Sequence, residues 1–301
     1  MATTQRKLNI NAAPMIKKLE VMVRLRLQSG LLGAYISIFK GVSGLEFDGY
    51  RTYTQDDDAG RIDWKASKRT RQLLVKEFVE TRELEVFFLI DVSRSMVFGS
   101  TEKLKNEYAA ELALCLAYII QLNGDKVGYA LFNNDIAVSR QPAKGTLQYS
   151  RLFGELNNPD SYGGGYNLTK ALEFVNEFIE RKGTMLIIIS DFLGLDKTWV
   201  NKLKLISHKF DVISIMIRDP RDEVLSKEVK QVLIEDPYSS RKMLIDSELL
   251  SNFYEAIVSK DEKELQKTFT DLNVDFLKLR TDKEFINPII QLFSKRRTIW
   301  K

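Results

Sequence analysis

Residues 86–96 read VFFLIDVSRSM, an apolar run that leads directly into an acid, two serines and a methionine. The first five residues are typical of a strand buried on both faces of a sheet. Asp91, Ser93 and Ser95 then occupy alternate positions, and alternate side chains of an extended backbone point to the same side. The stretch therefore predicts either a polar turn, since Asp and Ser are common turn residues, or a cation site.

The chain beyond residue 85 alternates apolar strands with longer amphipathic helices, which predicts an α/β fold with a doubly wound, mainly parallel sheet. Two neighbouring runs, 126–132 and 136–140, flank an Asn-Asn-Asp turn and predict a hairpin. The other predicted strands are 85–90, 184–191, 211–217 and 274–279, and the predicted helices are 102–122, 167–183, 197–208, 247–269 and 282–295.

A second acid follows a second buried strand. Asp191 comes directly after the apolar run 184–190, as Asp91 comes after its own strand. The carboxyl ends of parallel strands meet at one edge of the sheet, and ligands of such folds bind there. We therefore expect both carboxylates to lie at the same edge.

Carboxylates and hydroxyls are hard oxygen donors, which suit Mg²⁺, Mn²⁺ or Ca²⁺ better than zinc. The predicted ligands of this cation, taken as Mg²⁺ with Mn²⁺ or Ca²⁺ as alternatives, are Asp91, Ser93, Ser95 and Asp191. Two charged and two neutral donors leave coordination positions for water or for an acidic group of another protein. Such a site need not catalyse a reaction, because it can hold a carboxylate of another protein.

The enzymatic alternative is a Mg²⁺-dependent hydrolase or phosphatase with Asp91 as nucleophile. Phosphoryl-transferring aspartate enzymes commonly carry a second acid two residues later, and that position is Ser93 here. General acid–base catalysis therefore lacks its obvious group. Neither a Walker A loop nor a G-x-S-x-G elbow occurs in the sequence.

Composition excludes several other sites. The single cysteine, Cys115, permits no internal disulfide and no cysteine-built metal centre, and His208 is the only histidine. The net charge of +4 gives no global argument for nucleic-acid binding, although a basic N-terminus keeps it as a third alternative. The sequence shows no apolar signal core and no stretch of 18 apolar residues, so we predict a cytoplasmic protein without a membrane span.

Residues 1–84 are interpreted as an N-terminal extension with a basic helix and short strands at 35–39 and 45–47, and residues 85–301 as the main domain. The first thirty residues contain six basic residues and a single acid, Glu20. They form either a solvated helix face or a surface that docks an acidic partner or makes peripheral contact with an anionic membrane.

Three segments in order resemble the von Willebrand factor A fold: Asp91-x-Ser93-x-Ser95, GGGYNLTKAL at 163–172, and Asp191 after its strand. In that family these segments form the metal-ion-dependent adhesion site. The family usually has threonine directly after the glycine pair. Here Tyr166 occupies that place and Thr169 follows three residues later, which leaves the fifth ligand position open between them.

A second signature precedes the first strand: Glu46-Phe47, Arg51-Thr52-Tyr53 and DDAGRIDW at 57–64. It resembles a bacterial von Willebrand A-like family that is catalogued only as a domain of unknown function, whose genes commonly neighbour MoxR-type AAA+ ATPases. The resemblance implies a non-enzymatic protein-binding module that works with such an ATPase, in chaperone-like maturation of client proteins or in metal insertion.

The polar residues of this second signature have two interpretations. They form an ion-pair network that pins the extension to the sheet with Trp64 packed among them, or they bind a partner. The residues concerned are Asp57, Asp58, Arg61, Asp63 and Arg69.

Overall fold

A computed structural model describes most of the chain. The described residues are 8–18, 42–54, 60, 62–81, 84–225, 231–239 and 241–299. Within them, no helix is long and apolar enough to cross a membrane. The cytoplasmic location stays a prediction.

The core of the fold is a six-stranded sheet in the order β10-β7-β6-β3-β4-β5. Neighbouring strands are parallel except for β4 and β5, which form the predicted antiparallel hairpin. The α/β, mainly parallel sheet expected from the sequence is therefore confirmed. The six strands are β3 (Glu85–Asp91), β4 (Lys126–Phe132), β5 (Ile136–Ala143), β6 (Met185–Ser190), β7 (Asp211–Arg218) and β10 (Asp275–Arg280).

Helices cover both faces of the sheet, because successive side chains of each strand point to opposite sides. In β3, Phe88 and Ile90 belong to the core shared with α2 and α8, whereas Phe87 and Leu89 belong to the core shared with α4, α5 and α7. The helices are α1 (Trp64–Thr70), α2 (Lys105–Leu122), α3 (Thr146–Leu156), α4 (Leu168–Phe178), α5 (Trp199–Lys209), α6 (Pro220–Glu223), α7 (Ser247–Asp271) and α8 (Ile286–Ile299).

Two small antiparallel pairs lie outside the central sheet. Strands β1 (Val42–Thr52) and β2 (Leu74–Thr81) form one pair, which precedes the main domain. Strands β8 (Gln231–Glu235) and β9 (Lys242–Asp246) form a hairpin between α6 and α7. The sequence predicts the part of β1 at 45–47 but neither β2 nor the β8–β9 hairpin, whose alternation is short and lies among charged residues.

The order in which the chain adds strands to the sheet reverses beside β3. The chain passes from β3 to its neighbour β4 on one side and later returns to β6 on the other side. This is the switch point at which ligands of open α/β sheets bind. Asp91 is the last residue of β3, and Asp191 directly follows β6. Both acids therefore lie at the predicted edge.

Little of the predicted polar network upstream of the domain is described. Asp57, Asp58 and Arg61, like the predicted strand at 35–39, lie outside the described residues. Asp63 caps α1, because its carboxylate accepts the backbone N–H of Lys65 and of Ala66 at 3.0 and 3.1 Å. Trp64 is 68% exposed. The interpretation that packed it among these charges is wrong.

The segment 8–18 docks on α2 through backbone hydrogen bonds to two buried acids. The N–H of Asn9 donates to Glu107 Oε1 at 2.7 Å, and that of Asn11 donates to Glu111 Oε1 at 2.9 Å. Glu111 also forms an ion pair with Lys103. Segment 8–18 therefore adds hydrogen bonds to two buried carboxylates that are also bonded to Lys103 and to the N–H of Leu104.

Removing the Glu111 carboxylate tests this contact. We expect Glu111→Ala to lower the free energy of unfolding by roughly 1–3 kcal/mol, because buried donors lose their acceptor. The matched control is Glu264→Ala in α7, whose ion pair with Lys260 is exposed and which should cost less than about 0.5 kcal/mol. Urea denaturation of the three proteins measures the difference, and equal costs would contradict the docking role.

Candidate functional site

The structure brings the four predicted ligands together at the carboxyl edge of β3 and β6. Asp91, Ser93, Ser95 and Asp191 are all buried, at 3% exposure or less. A short 3-10 turn, Arg94–Met96, follows β3. Ser93 lies at the start of this turn and Ser95 lies within it. The polar residues after VFFLI are therefore part of an enclosed cluster, not of an exposed turn.

The Asp91 carboxylate is held by two hydrogen bonds. Its Oδ1 accepts the backbone N–H of Ser93 at 2.8 Å, and its Oδ2 accepts the hydroxyl of Ser190 at 2.7 Å. Burial, and after it the charge of Asp191, nevertheless raise the pKa of Asp91 to about 7. Two carboxylates that share a desolvated space favour either a proton or a cation between them.

The two serine hydroxyls form a pair of adjacent donors. Ser93 Oγ and Ser95 Oγ are 3.2 Å apart. Adjacent oxygens on Mg²⁺ are about 2.9 Å apart, given metal–oxygen distances of about 2.0–2.1 Å, and Ca²⁺ requires slightly more. Among the described residues no three His, Cys, Asp or Glu side chains gather around a metal position. The donor set of two carboxylates and two hydroxyls fits a hard divalent cation.

Asp191 is paired with a buried lysine that sequence reasoning missed. Lys105, at the first position of α2, lies 2.8 Å from Asp191 Oδ2 and 2.9 Å from Asp222 Oδ2. Burial alone would lower the pKa of Lys105, but the charges of Asp191 and Asp222 raise it above its ordinary value. The ammonium compensates one of the negative charges at the site, and its position in a charged helix start gave no sequence signal.

Tyr166 reaches the site, whereas Thr169 does not. The Tyr166 hydroxyl lies 3.3 Å from Ser190 Oγ, which itself donates to Asp91. Burial raises the pKa of Tyr166 well above its ordinary value. Thr169 instead donates to Asp196 at 2.6 Å on the exposed side of α4. Of the two candidates for the fifth position, only the tyrosine faces the cluster.

The glycine run 163–165 fixes the loop that carries the serines. Gly163 and Gly164 have φ of 128° and 81°, a region that favours glycine. The N–H of Gly163 donates to the Val92 carbonyl at 2.8 Å, and the N–H of Arg94 donates to the Gly164 carbonyl at 3.2 Å. The run therefore positions the loop after β3.

Tyr238, another residue that the sequence did not predict, contacts both serine hydroxyls. The Tyr238 hydroxyl, from the tip of the β8–β9 hairpin, is 2.9 Å from Ser95 Oγ and 3.3 Å from Ser93 Oγ. It is also 3.2 Å from the carbonyl oxygen of Leu193. The separation of 143 residues between Tyr238 and Ser95 leaves no local signal for this contact.

The raised pKa of Asp91 makes the stability of the protein depend on pH in chelator. The folded pKa of about 7 exceeds the unfolded value of about 3.9, so the folded state binds the additional proton between them. Stability is therefore present at low pH and is lost as pH rises through 7. We expect the Tm measured in EDTA to fall between pH 5 and pH 8.

Asp91→Asn should flatten this pH profile and raise the Tm at pH 8, because the amide removes the charge while its oxygen still accepts the N–H of Ser93 and its NH2 can donate to the Ser190 hydroxyl. Calorimetry of both proteins in EDTA checks it. Parallel profiles for the two proteins would show that Asp91 does not carry the buried charge.

Comparison with known proteins gives the family. The family model described as "Protein of unknown function DUF58" matches residues 49–264. The uncharacterized protein Rv1480 of Mycobacterium tuberculosis is 30% identical over 290 residues, which cover 95% of this chain and 90% of that protein. The uncharacterized protein Mb1516 of Mycobacterium bovis matches to the same extent.

Solved structures are similar in fold. An aerotolerance-related membrane protein from Bacteroides fragilis aligns with a TM-score of 0.50 and 18% identity, over 70% of this chain and 99% of that one. A von Willebrand factor type A protein from Catenulispora acidiphila aligns with a TM-score of 0.43 and 14% identity, over 73% of this chain and 42% of that one. The chain belongs to the DUF58 family of proteins of unknown function.

Proposed function

We propose that this chain is a non-enzymatic module that binds another protein through a divalent cation, Mg²⁺ or else Mn²⁺ or Ca²⁺. One observation carries the proposal: two buried carboxylates and a pair of serine hydroxyls converge at the switch point of the sheet. The residues that would hold the cation are Asp91, Ser93, Ser95 and Asp191. When bound, the cation supplies a positive charge that takes a carboxylate oxygen of the partner as a further ligand.

The chain itself positions and desolvates these donors. Ser190 and the backbone of Ser93 fix the Asp91 carboxylate, and Lys105 together with the N–H of Leu193 fixes Asp191. Each donor is thereby held in one orientation before anything binds, which reduces the ordering cost of association. Rigid, buried donors favour adhesion at this edge.

Other features of the site give no support to the hydrolase alternative. The position two residues after Asp91 is Ser93, so the second acid of phosphoryl-transferring aspartate enzymes is missing there. The only histidine, His208, lies near the end of α5, which runs from the carboxyl edge of the sheet back to the start of β7. His208 therefore lies at the opposite edge from Asp91.

The partner that we propose is a MoxR-type AAA+ ATPase that presents an acidic residue to the site, with chaperone-like maturation of client proteins as the joint task. This step is supported by the sequence resemblance described above. It is compatible with a site whose free coordination positions suit a carboxylate.

Ser95→Ala tests the cation site. We expect Mg²⁺ affinity, measured by isothermal titration calorimetry, to fall by about tenfold or more, because one oxygen donor is removed and Ser93 loses its neighbour. Thr169→Ala is the matched control, since its hydroxyl bonds to Asp196 away from the cluster. Equal Mg²⁺ affinity in the wild type, Ser95→Ala and Thr169→Ala would refute the proposed ligand set.

Association with the ATPase is tested by a pull-down of a MoxR-type AAA+ protein with Mg²⁺ and with EDTA. We expect retention by the wild-type chain in Mg²⁺ and loss both in EDTA and in Asp91→Ala. Retention that is indifferent to chelator and to this substitution would contradict a cation-mediated contact.

A further inference from the structure

We propose that the β8–β9 hairpin is a built-in lid on the adhesion site, and that the Tyr238 hydroxyl holds the place of the partner's carboxylate until the partner displaces it. The inference concerns the regulation of the proposed cation site and rests on that function. Its basis is the contact of Tyr238 with the two serines.

The Tyr238 oxygen occupies a ligand-like position. It lies 2.9 Å from Ser95 Oγ and 3.3 Å from Ser93 Oγ, while these two oxygens are 3.2 Å apart. Adjacent oxygens around Mg²⁺ or Ca²⁺ have separations of about 3 Å. The phenol oxygen therefore lies where an oxygen that shares a cation with both serines would lie, and a carboxylate arriving from outside meets it there.

The site is shaped to receive the tyrosine ring. Gly194 has φ of +88°, and a Cβ at this position would lie 3.0 Å from Tyr238 Cε2. The absence of a side chain therefore lets the ring approach the loop after β6. The ring also lies beside Tyr166, with 6.5 Å between ring centroids and 32° between planes. Tyr238 thus packs against two residues that themselves border the cluster.

The hairpin that carries Tyr238 is attached to the body more loosely than the elements that carry the donors. Among the described residues, β8 and β9 pair only with each other and not with the central sheet. Leu233, Met243 and Leu244 of the hairpin are more than half exposed. An element with few buried apolar contacts opens at low cost relative to global unfolding. The hairpin can therefore leave without disturbing the donors.

The tip of the hairpin is preorganised for this contact. The Asp236 carboxylate accepts the N–H of Tyr238 at 2.9 Å and also bonds to Ser239. At the base of the tip, Glu235 lies 3.7 Å from Arg94, the residue between the two serines. The tip thus moves as a unit, and its charged contact lies beside the donors it covers.

Neutral phenol is a weak ligand for a hard cation compared with a carboxylate, whose oxygens carry the charge. A bound cation therefore draws the serine lone pairs away from the Tyr238 hydroxyl and leaves the position to a partner carboxylate, whereas in the absence of the cation the serines hold the tyrosine. Occupation of the site and opening of the hairpin become one equilibrium.

A thiol reporter in the site tests the lid without any metal. Ser95→Cys places a thiol under Tyr238, and the native Cys115 is buried, so the wild-type chain measures the background. We expect iodoacetamide in EDTA to label Ser95→Cys about 2- to 10-fold faster when Tyr238→Phe is added, the range for loss of one hydrogen bond, here the bond from the Tyr238 hydroxyl to the Leu193 carbonyl that the reporter leaves in place. Tyr238→Ala should increase the rate further.

Tyr254→Phe is the matched control, because its hydroxyl bonds to the Asp222 carbonyl at 3.1 Å and does not touch the serines. Its labelling rate should equal that of Ser95→Cys alone. Equal rates for Tyr238→Phe, Tyr238→Ala and Tyr254→Phe in the reporter background would overturn the lid.

Mn²⁺ titration of the full chain, followed by the EPR signal of the free ion, separates the lid from a ligand role of Tyr238. We expect Tyr238→Phe to bind Mn²⁺ at least as tightly as the wild type. Weaker binding would make Tyr238 a ligand and overturn the lid. If neither protein binds Mn²⁺ while labelling is still accelerated, the proposed cation site fails and the lid stands. If Mn²⁺ binds but Tyr238→Phe does not change the labelling rate, the lid fails and the proposed cation site stands.

Discussion

Charge compensation at one edge of the sheet is the constraint on which this structure depends. Asp91 and Asp191 are both removed from water at the ends of adjacent strands. Desolvated carboxylates are costly unless they are paired, hydrogen-bonded or neutralised. The buried ammonium of Lys105 compensates part of this charge, because it forms ion pairs with both Asp191 and Asp222. Asp91 receives hydrogen bonds but no cationic side chain in the described structure, and this remaining negative charge is the basis of the proposed cation site.

The arrangement of the fold explains why these acids must coincide in space. Strands β3 and β6 are adjacent and parallel, and their apolar residues leave both faces buried beneath helices. Each strand can therefore present polar side chains only where it ends. The two ends share one edge because the strands are parallel, and they lie where the strand order of the sheet reverses. Residues far apart in the sequence are thus brought together by strand order alone.

Much of this could be predicted from the sequence. Buried strands and amphipathic helices have strong periodic signals, which is why the sheet and the convergence of Asp91 and Asp191 follow from pattern and topology. Lys105, Ser190 and Tyr238 could not be found in this way. Their roles depend on which helix start, strand end or hairpin tip lies nearby, and no periodicity encodes that proximity. The choice between Tyr166 and Thr169 likewise depended on the direction of each side chain.

The contact between segment 8–18 and α2 has a practical consequence for work with this protein. The backbone N–H groups of Asn9 and Asn11 are the donors to Glu107 and Glu111, so the contact depends on the chain path and not on side-chain identity. A truncated form that starts after Ala12 would leave both carboxylates without these donors on the helix whose first residue is Lys105. Shortening the N-terminus would therefore alter the first two turns of the helix whose Lys105 pairs with Asp191.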